Sequence, residues 1–125
     1  MQYDKDISSQ YAERFLETIE LITLLIGKDV KVKYSPYITS YFSDVGGICY
    51  VKTGKNGVHI GWFRGAYFED RFGKLYGCGK TIRSYEFKLL DEKEKEAITY
   101  YVQESIFFLL GYEERKRMRK QIAKR

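Results

Sequence analysis

One segment of the chain, residues 62–83, combines the residue types that bind anions. It contains four glycines among arginines, lysines and aromatic residues. Glycine exposes its backbone N–H groups to a close ligand, and neighbouring cations add positive charge. The segment therefore predicts a site for a small anion or a charged partner, with Arg64, Lys80 and Arg83 as the candidate contacts.

The same segment is also typical of a compact connection between two strands. Glycine adopts positive φ in tight turns at little cost, and Phe68, Phe72 and Leu75 are apolar side chains that can hold a loop against a core. In this second interpretation the cations point into water. We favour the compact loop, and the anion site stays open as the alternative.

The tripeptide Gly79-Lys80-Thr81 invites a nucleotide-binding interpretation that its surroundings exclude. A phosphate-binding loop has glycine, four residues and then Gly-Lys-Ser/Thr, and it leads from a strand into a helix. Lys74 occupies the position of the first glycine, and Gly73 is one residue too far away. The residues after Thr81 have the pattern of a strand, so no helix N-terminus would face the phosphate.

The sequence shows no nucleophile–base pair and no metal triad at a recognisable spacing. Cys49 and Cys78 are 29 residues apart, without a CxxC motif or a nearby histidine, which is typical of reduced thiols. The first ten residues lack an apolar signal core, and the longest apolar run, residues 21–26, is too short to span a bilayer. We therefore expect a non-enzymatic, cytoplasmic protein.

Apolar periodicity predicts which elements position these residues. A first helix is expected between a cap at Ser8 or Ser9 and an end at Gly27. Its apolar stripe consists of Tyr11, Phe15, Ile19, Ile22 and Ile26. A period of two then indicates strands within residues 30–34, 48–52, 58–63 and 83–89, and residues 37–42 form either a short strand or an irregular segment.

A last helix follows the strands. Asp91 and Glu94 form a capping-box pattern, and Gly111 is the expected end of this helix. The order of elements predicts an α+β fold, a two-layer sandwich with the N- and C-terminal helices on one face of a mainly antiparallel sheet of about five strands. Residues 1–111 would form this single domain, and residues 112–125 a basic tail.

The net charge of +5 resides in that tail. Residues 112–125 hold seven cations and two anions, so the other 111 residues carry 15 charges of each sign. A neutral body does not favour nucleic-acid binding. The tail, helical or disordered, is either a solvated segment, which we favour, or a weak contact for nucleic acid or an acidic partner.

An apolar run at residues 107–110 is hydrophobic on every side of the last helix. A single helix face packed on a core needs a narrower apolar stripe. The excess indicates either a homodimer contact or a tail that folds back over the helix.

The glycine-rich segment resembles the signature of the YdhG-like family of bacterial domains of unknown function. The matching residues are Trp62, Gly65, Phe68, Asp70, Leu75, Gly77, Gly79, Lys80 and Arg83. The resemblance extends over roughly residues 34–110. It implies a frataxin-like fold and, by analogy with a family member regarded as an intracellular iron chaperone, delivery of iron to iron–sulfur or haem assembly proteins.

The same resemblance suggests where iron would bind, since frataxin-type binding uses an acidic ridge on the first helix. Glu13, Glu17 and Glu20 follow at i, i+4 and i+7 and so line one helical stripe, with Asp4 and Asp6 just before it. Carboxylate oxygens suit iron, but carboxylates are also ordinary on the solvent face of an amphipathic helix. We favour the solvated face, with weak iron binding as the hypothesis. The single histidine, His59, is expected to be a surface or packing residue.

Overall fold

The computed structural model describes residues 1–123, and these form five strands and three α-helices. The elements in chain order are α1 (Gln2–Asp6), α2 (Ala12–Ile26), β1 (Lys31–Tyr34), β2 (Thr39–Ser43), β3 (Gly46–Gly54), β4 (Gly57–Trp62), β5 (Arg83–Phe87) and α3 (Glu92–Ala123). A short 3-10 turn, Gly65–Tyr67, follows β4. The strands form one open antiparallel sheet in the order β1-β2-β3-β4-β5, and α2 and α3 pack on it. The predicted α+β two-layer architecture is confirmed.

The core lies between the helices and one face of the sheet. Pairing across β3, β4 and β5 places Val51, Ile60 and Tyr85 in one row, and all three side chains are buried. From the helices, Phe15, Ile22, Ile98, Tyr101 and Val102 fill the same core. Because side chains two residues apart share one face of a strand, this row belongs to the face of the sheet that the helices cover.

The other face of the sheet is not covered by a helix. Its rows include Tyr50 beside Gly61, and Lys52 beside His59 and Glu86. On the β1 edge lysines 31 and 33 alternate with Val32 and Tyr34, and all four residues are exposed. We call this surface the open face. Lysines on an edge strand also disfavour pairing with the sheet of another molecule.

A short helix that periodicity does not reveal precedes α2. Helix α1 is held by Asp6, which is fully buried and accepts hydrogen bonds from the Thr53 backbone N–H at 2.9 Å and the Thr53 hydroxyl at 2.7 Å. Asp6 therefore joins α1 to β3 and does not extend the acidic stripe. Helix α2 starts at Ala12, and Ser9 accepts a bond from the Tyr11 N–H just before it.

Helix α3 extends past its predicted end. Its start is as expected, with the Glu94 N–H donating to Asp91 Oδ1 at 2.9 Å, but it continues through Gly111 to Ala123. A glycine inside a helix costs only about 1 kcal/mol, and the residues that follow are mostly good helix formers. The tail is thus helical over residues 112–123, and residues 124 and 125 lie outside the described part.

The hairpin between β3 and β4 needs glycine at one of its two ends. Gly57 has a φ of 140°, and a Cβ there would lie 2.2 Å from the carbonyl oxygen of Phe87. Gly54 pairs with Gly57 across the turn, yet a Cβ on Gly54 would meet nothing closer than 4.0 Å. Position 57 therefore requires glycine, whereas position 54 has room for a side chain.

We expect Gly57→Ala to lower the free energy of unfolding by about 2 kcal/mol or more, because both the backbone conformation and the β5 carbonyl oppose a Cβ. Urea denaturation of the two single variants measures this. Gly54→Ala is the matched control and should change stability by less than about 1 kcal/mol. Equal losses in the two variants would contradict the assignment.

Candidate functional site

The glycine-rich segment forms the connection from β4 to β5 and folds around Asp70. The carboxylate of Asp70 accepts the backbone N–H groups of Lys74 at 3.3 Å and Leu75 at 3.1 Å. It also accepts the Tyr101 hydroxyl of α3 at 2.5 Å. Gly73 adopts a φ of 64° where the loop reverses. These bonds turn the segment into a compact loop fixed to α3, which is the interpretation favoured from the sequence.

Apolar side chains hold this loop to the core as expected. Phe68, Phe72 and Leu75 pack against the buried cluster. The Phe68 ring stacks on that of Tyr101, with centroids 6.1 Å apart. The loop is therefore fixed to the side of the sheet that the helices cover, and its cations lie along the outer edge of the loop.

The three cations predicted to bind an anion occupy different environments. Arg83 turns its guanidinium onto its own loop and donates to the carbonyl oxygens of Gly79 at 2.6 Å and Ile82 at 2.8 Å. Lys80 is exposed at the loop surface. Arg64 lies at the end of β4 beside the open face. The predicted trio is thus not one cluster, and Arg64 alone stands at a concave surface.

That surface is a shallow depression of about 360 Å³ at one end of the open face. We call it the aromatic depression; it is lined by Phe42, Gly47, Phe63, Arg64, Thr81 and Ile82. The rings of Phe42 and Phe63 have centroids 6.4 Å apart. A Cβ on Gly47 would lie 3.0 Å from the Phe63 ring, so glycine leaves room for the ring to lie over the strand.

Arg64 is oriented by α3 rather than by a carboxylate. Its guanidinium carbon lies 5.7 Å from the ring centroid of Phe108 and 5.8 Å from that of Tyr112. Cation–π contacts fix a guanidinium without neutralising its charge. None of the ion pairs found within residues 1–123 involves Arg64. Its charge is therefore not neutralised by an ion pair among these residues, and Arg64 also lines the aromatic depression.

A polar row continues the open face from the depression. The Tyr50 ring is 6.0 Å from that of Phe63 and stacks on His59 at 5.6 Å. The Tyr50 hydroxyl lies 3.1 Å from His59 Nε2, and His59 Nδ1 lies 3.5 Å from Glu86 Oε1. Gly61 makes this possible, since a Cβ there would be 1.9 Å from the Tyr50 ring.

The electrostatics of this row favour a neutral imidazole. Burial lowers the pKa of His59 and nearby Lys52 lowers it further, although the hydrogen bond to Glu86 opposes part of the effect. Burial also raises the pKa of the Tyr50 hydroxyl. When the neutral ring carries its proton on Nδ1, that N–H faces Glu86, and Nε2 accepts a hydrogen bond from the Tyr50 hydroxyl. His59 is thus a packing residue of the open face, as the sequence predicts.

The carboxylates of the acidic stripe are spread along the surface of α2. Glu13 has a side chain that is 82% exposed, and Arg14 contacts both Glu13 at 3.5 Å and Glu17 at 3.0 Å. Glu20 borders an apolar groove beside Leu24. Among residues 1–123, no three His, Cys, Asp or Glu side chains are arranged to hold a metal ion. The stripe therefore offers single exposed carboxylates, and weak iron binding there stays a prediction.

A buried polar cluster under α3 is not apparent from spacing. Glu94 binds Lys74 Nζ at 2.6 Å through Oε1, whereas the sequence pattern places Glu94 in a capping box. Within the described residues, Glu94 Oε2, the Tyr85 hydroxyl and Trp62 Nε1 are buried without a hydrogen-bond partner. The residues of these three atoms do not line the aromatic depression, which remains the candidate site.

Comparison with known proteins adds no constraint on function. No protein-family model, curated protein or solved structure matches the chain. Over residues 1–123, helices long and apolar enough to cross a bilayer are absent. The class defined by the geometry is an α+β protein with one helix-covered sheet face and one open face that carries an aromatic depression.

We expect the stability of the protein to fall as the pH decreases from about 7.5 to 5, with His59 contributing to the fall. Because the folded pKa lies below the ordinary value of 6.5, the unfolded chain takes up the proton first. The stabilising contribution is therefore complete above pH 6.5 and declines as the pH drops towards the folded pKa. His59→Gln should show a shallower decline in urea denaturation.

An NMR titration gives the direct measurement, since the chain has a single histidine. The imidazole signals should report a midpoint below 6.5. A midpoint at or above 6.5 would contradict the assigned environment.

If the acidic stripe binds iron, anaerobic titration with ferrous iron should perturb the α2 amide signals near Glu13, Glu17 and Glu20. The triple Glu→Gln variant should lose this response because it lacks the carboxylate ligands. The buried Asp6 should not respond in either protein. A response that is absent, or equal in parent and variant, would remove the iron hypothesis.

Proposed function

We propose that the protein is a non-enzymatic binding module whose ligand is a small anion carrying an aromatic ring. The observation that carries this proposal is the position of Arg64, an arginine outside any ion pair found among residues 1–123, at the rim of the aromatic depression. The Arg64 cation would attract a negatively charged group of the ligand. The rings of Phe42 and Phe63 would contact a flat apolar group of the same ligand.

The ring of such a ligand would lie over Phe42 and Phe63. Aromatic pairs prefer offset or edge-to-face arrangements and contribute about 0.5–1.5 kcal/mol beyond their buried area. The volume of about 360 Å³ lies near the lower end of the range for small-molecule sites. A single ring with its charged substituent fits such a site better than a folded polypeptide or a large cofactor does.

The anionic group would lie between Arg64 and Thr81. A guanidinium presents planar, paired N–H donors that match phosphate and carboxylate oxygens. The hydroxyl of Thr81, which also lines the depression, supplies a further donor. Because Phe108 and Tyr112 already orient the Arg64 side chain, less conformational entropy is lost on binding.

The lining of the depression supports binding rather than catalysis. Arg64 and Thr81 are its two residues with polar side chains, and neither a carboxylate nor an imidazole lies among the lining residues to activate the threonine hydroxyl. The cytoplasmic location and the iron–sulfur or haem assembly partners expected from the sequence stay predictions beside this proposal.

We expect phenyl phosphate to raise the thermal unfolding midpoint more than equal concentrations of inorganic phosphate or phenol, because it alone satisfies both parts of the site. At a hundredfold excess over its Kd, the stabilisation should be about 2.7 kcal/mol. Arg64→Gln should abolish the preference for phenyl phosphate over phenol, and Phe63→Leu should abolish its preference over inorganic phosphate.

Lys80→Gln is the matched control, since it removes an exposed cation of the same loop without touching the depression. It should bind phenyl phosphate as the parent does, and amide shifts in the parent should cluster at Gly47, Phe63 and Ile82. The proposal fails if Arg64→Gln, shown to be folded by its own melting curve, binds as tightly as the parent. A ten-nucleotide oligothymidine that binds far more tightly than phenyl phosphate would instead indicate a single-stranded nucleic-acid surface.

A further inference from the structure

Helix α3 extends well beyond the body of the domain. Leu109 is its last buried residue, and every residue from 113 to 123 is exposed. At 1.5 Å per residue these eleven residues project about 16 Å. An isolated helix of this length gains little stability in water without a packed face. We therefore expect the projecting part to pack against a partner.

A second apolar face lies near the middle of α3, on the side away from the core. Phe107 is 73% exposed and Leu110 is 51% exposed. With Gln103 and Ile106 they line an apolar groove of about 140 Å³. The core-facing side of the helix carries Tyr101, Ser105 and Leu109 instead. We call Ile106, Phe107 and Leu110 the outward patch; Phe107 and Leu110 are exposed, whereas Ile106 also packs against the core.

The charges on either side of this outward patch have opposite signs. Residues 92–106 contain four carboxylates and two lysines, and because Glu94 pairs with Lys74 the remaining charges of this half sum to −1; residues 107–123 contain five cations and two carboxylates, a net charge of +3. The patch lies close to the midpoint of Glu92–Ala123. Two copies of a helix with an apolar centre and oppositely charged halves are complementary only when they run antiparallel, because only then does each acidic half lie beside a basic half.

We propose that the protein forms a homodimer through an antiparallel pair of α3 helices that cross at the outward patch. A two-fold axis beside Phe107 brings each patch against its copy, as an isologous interface requires. It also places the basic half of each helix along the acidic half of the other, with Glu96 near Arg117 of the second copy. A parallel pair would align like charges, which is unfavourable.

In this arrangement the partner of α3 is the α3 helix of a second copy of the chain. Phe108 and Tyr112, which orient Arg64, lie on a different side of α3 from Phe107 and Leu110. The aromatic depression therefore stays accessible in the dimer. The inference is independent of the proposed ligand, and either can fail without the other.

Sedimentation equilibrium of the full chain over a range of concentrations tests the dimer. The expected mass at high concentration is twice the 14.8 kDa of one chain. Phe107→Glu should raise the dissociation constant at least about tenfold, because it places a charge in an apolar contact. Tyr37→Glu, a matched change at a side chain that is 79% exposed on the β1–β2 connection, should leave the constant unchanged.

Charge exchange tests the orientation of the pair. Glu96→Lys and Arg117→Glu should each weaken the dimer, and the double variant should restore it because the pairs reform with reversed sign. Circular dichroism and melting curves establish that each variant is folded. A monomer at all concentrations, a dimer unaffected by Phe107→Glu, an equal loss in Tyr37→Glu, or a double variant no tighter than the weaker single variant would each overturn the proposal.

Discussion

The hydrogen bond from the Tyr101 hydroxyl to Asp70 joins the three parts of the structure on which the site depends. Tyr101 belongs to α3, its ring packs 5.5 Å from Trp62 of β4, and its hydroxyl reaches Asp70 in the glycine-rich loop at 2.5 Å. A bond to a carboxylate contributes about 1.5–3 kcal/mol and is directional. The loop that this contact fixes runs from Arg64 to Thr81, and its two ends are joined by the Ala66 N–H, which donates to the carbonyl oxygen of Thr81 at 2.9 Å.

The sequence predicts the fold well wherever side-chain periodicity and burial coincide. Ile60, Trp62 and Tyr85 are buried where alternation places them, since a strand has only two faces and one of them must be apolar. Helix α1 escapes the same reasoning because its five residues are too few to show a period. Tertiary bonds between Asp6 and Thr53 hold it. The predicted end of α3 at Gly111 is wrong for a related reason, since a glycine ends a helix only where the following chain turns away.

The sequence predicts some residues of the candidate site, but residue spacing does not show which of them lie close together in the fold. The composition of the loop identifies Arg64 as a candidate, but it groups Arg64 with Lys80 and with Arg83, whose guanidinium binds carbonyl groups of its own loop. Phe42 and Phe63 lie 21 residues apart and meet because the register shifts between Tyr41 and Phe42. A register shift is a property of strand pairing, so no local pattern in the sequence contains it.

The aromatic layer on the open face has no necessary role in forming this fold. A two-layer sandwich needs one apolar sheet face, and here the face beneath α2 and α3 supplies it with Tyr41, Trp62 and Tyr85. Phe42, Tyr50 and Phe63 add a second aromatic layer on the uncovered side, and each of them is half-buried. Glycines 47 and 61 permit these rings to lie flat across the strands, at the expense of strand propensity. Aromatic rings on a sheet face that no helix covers support the binding site that we propose, and the neighbouring Arg64 is the reason for proposing an anionic ligand.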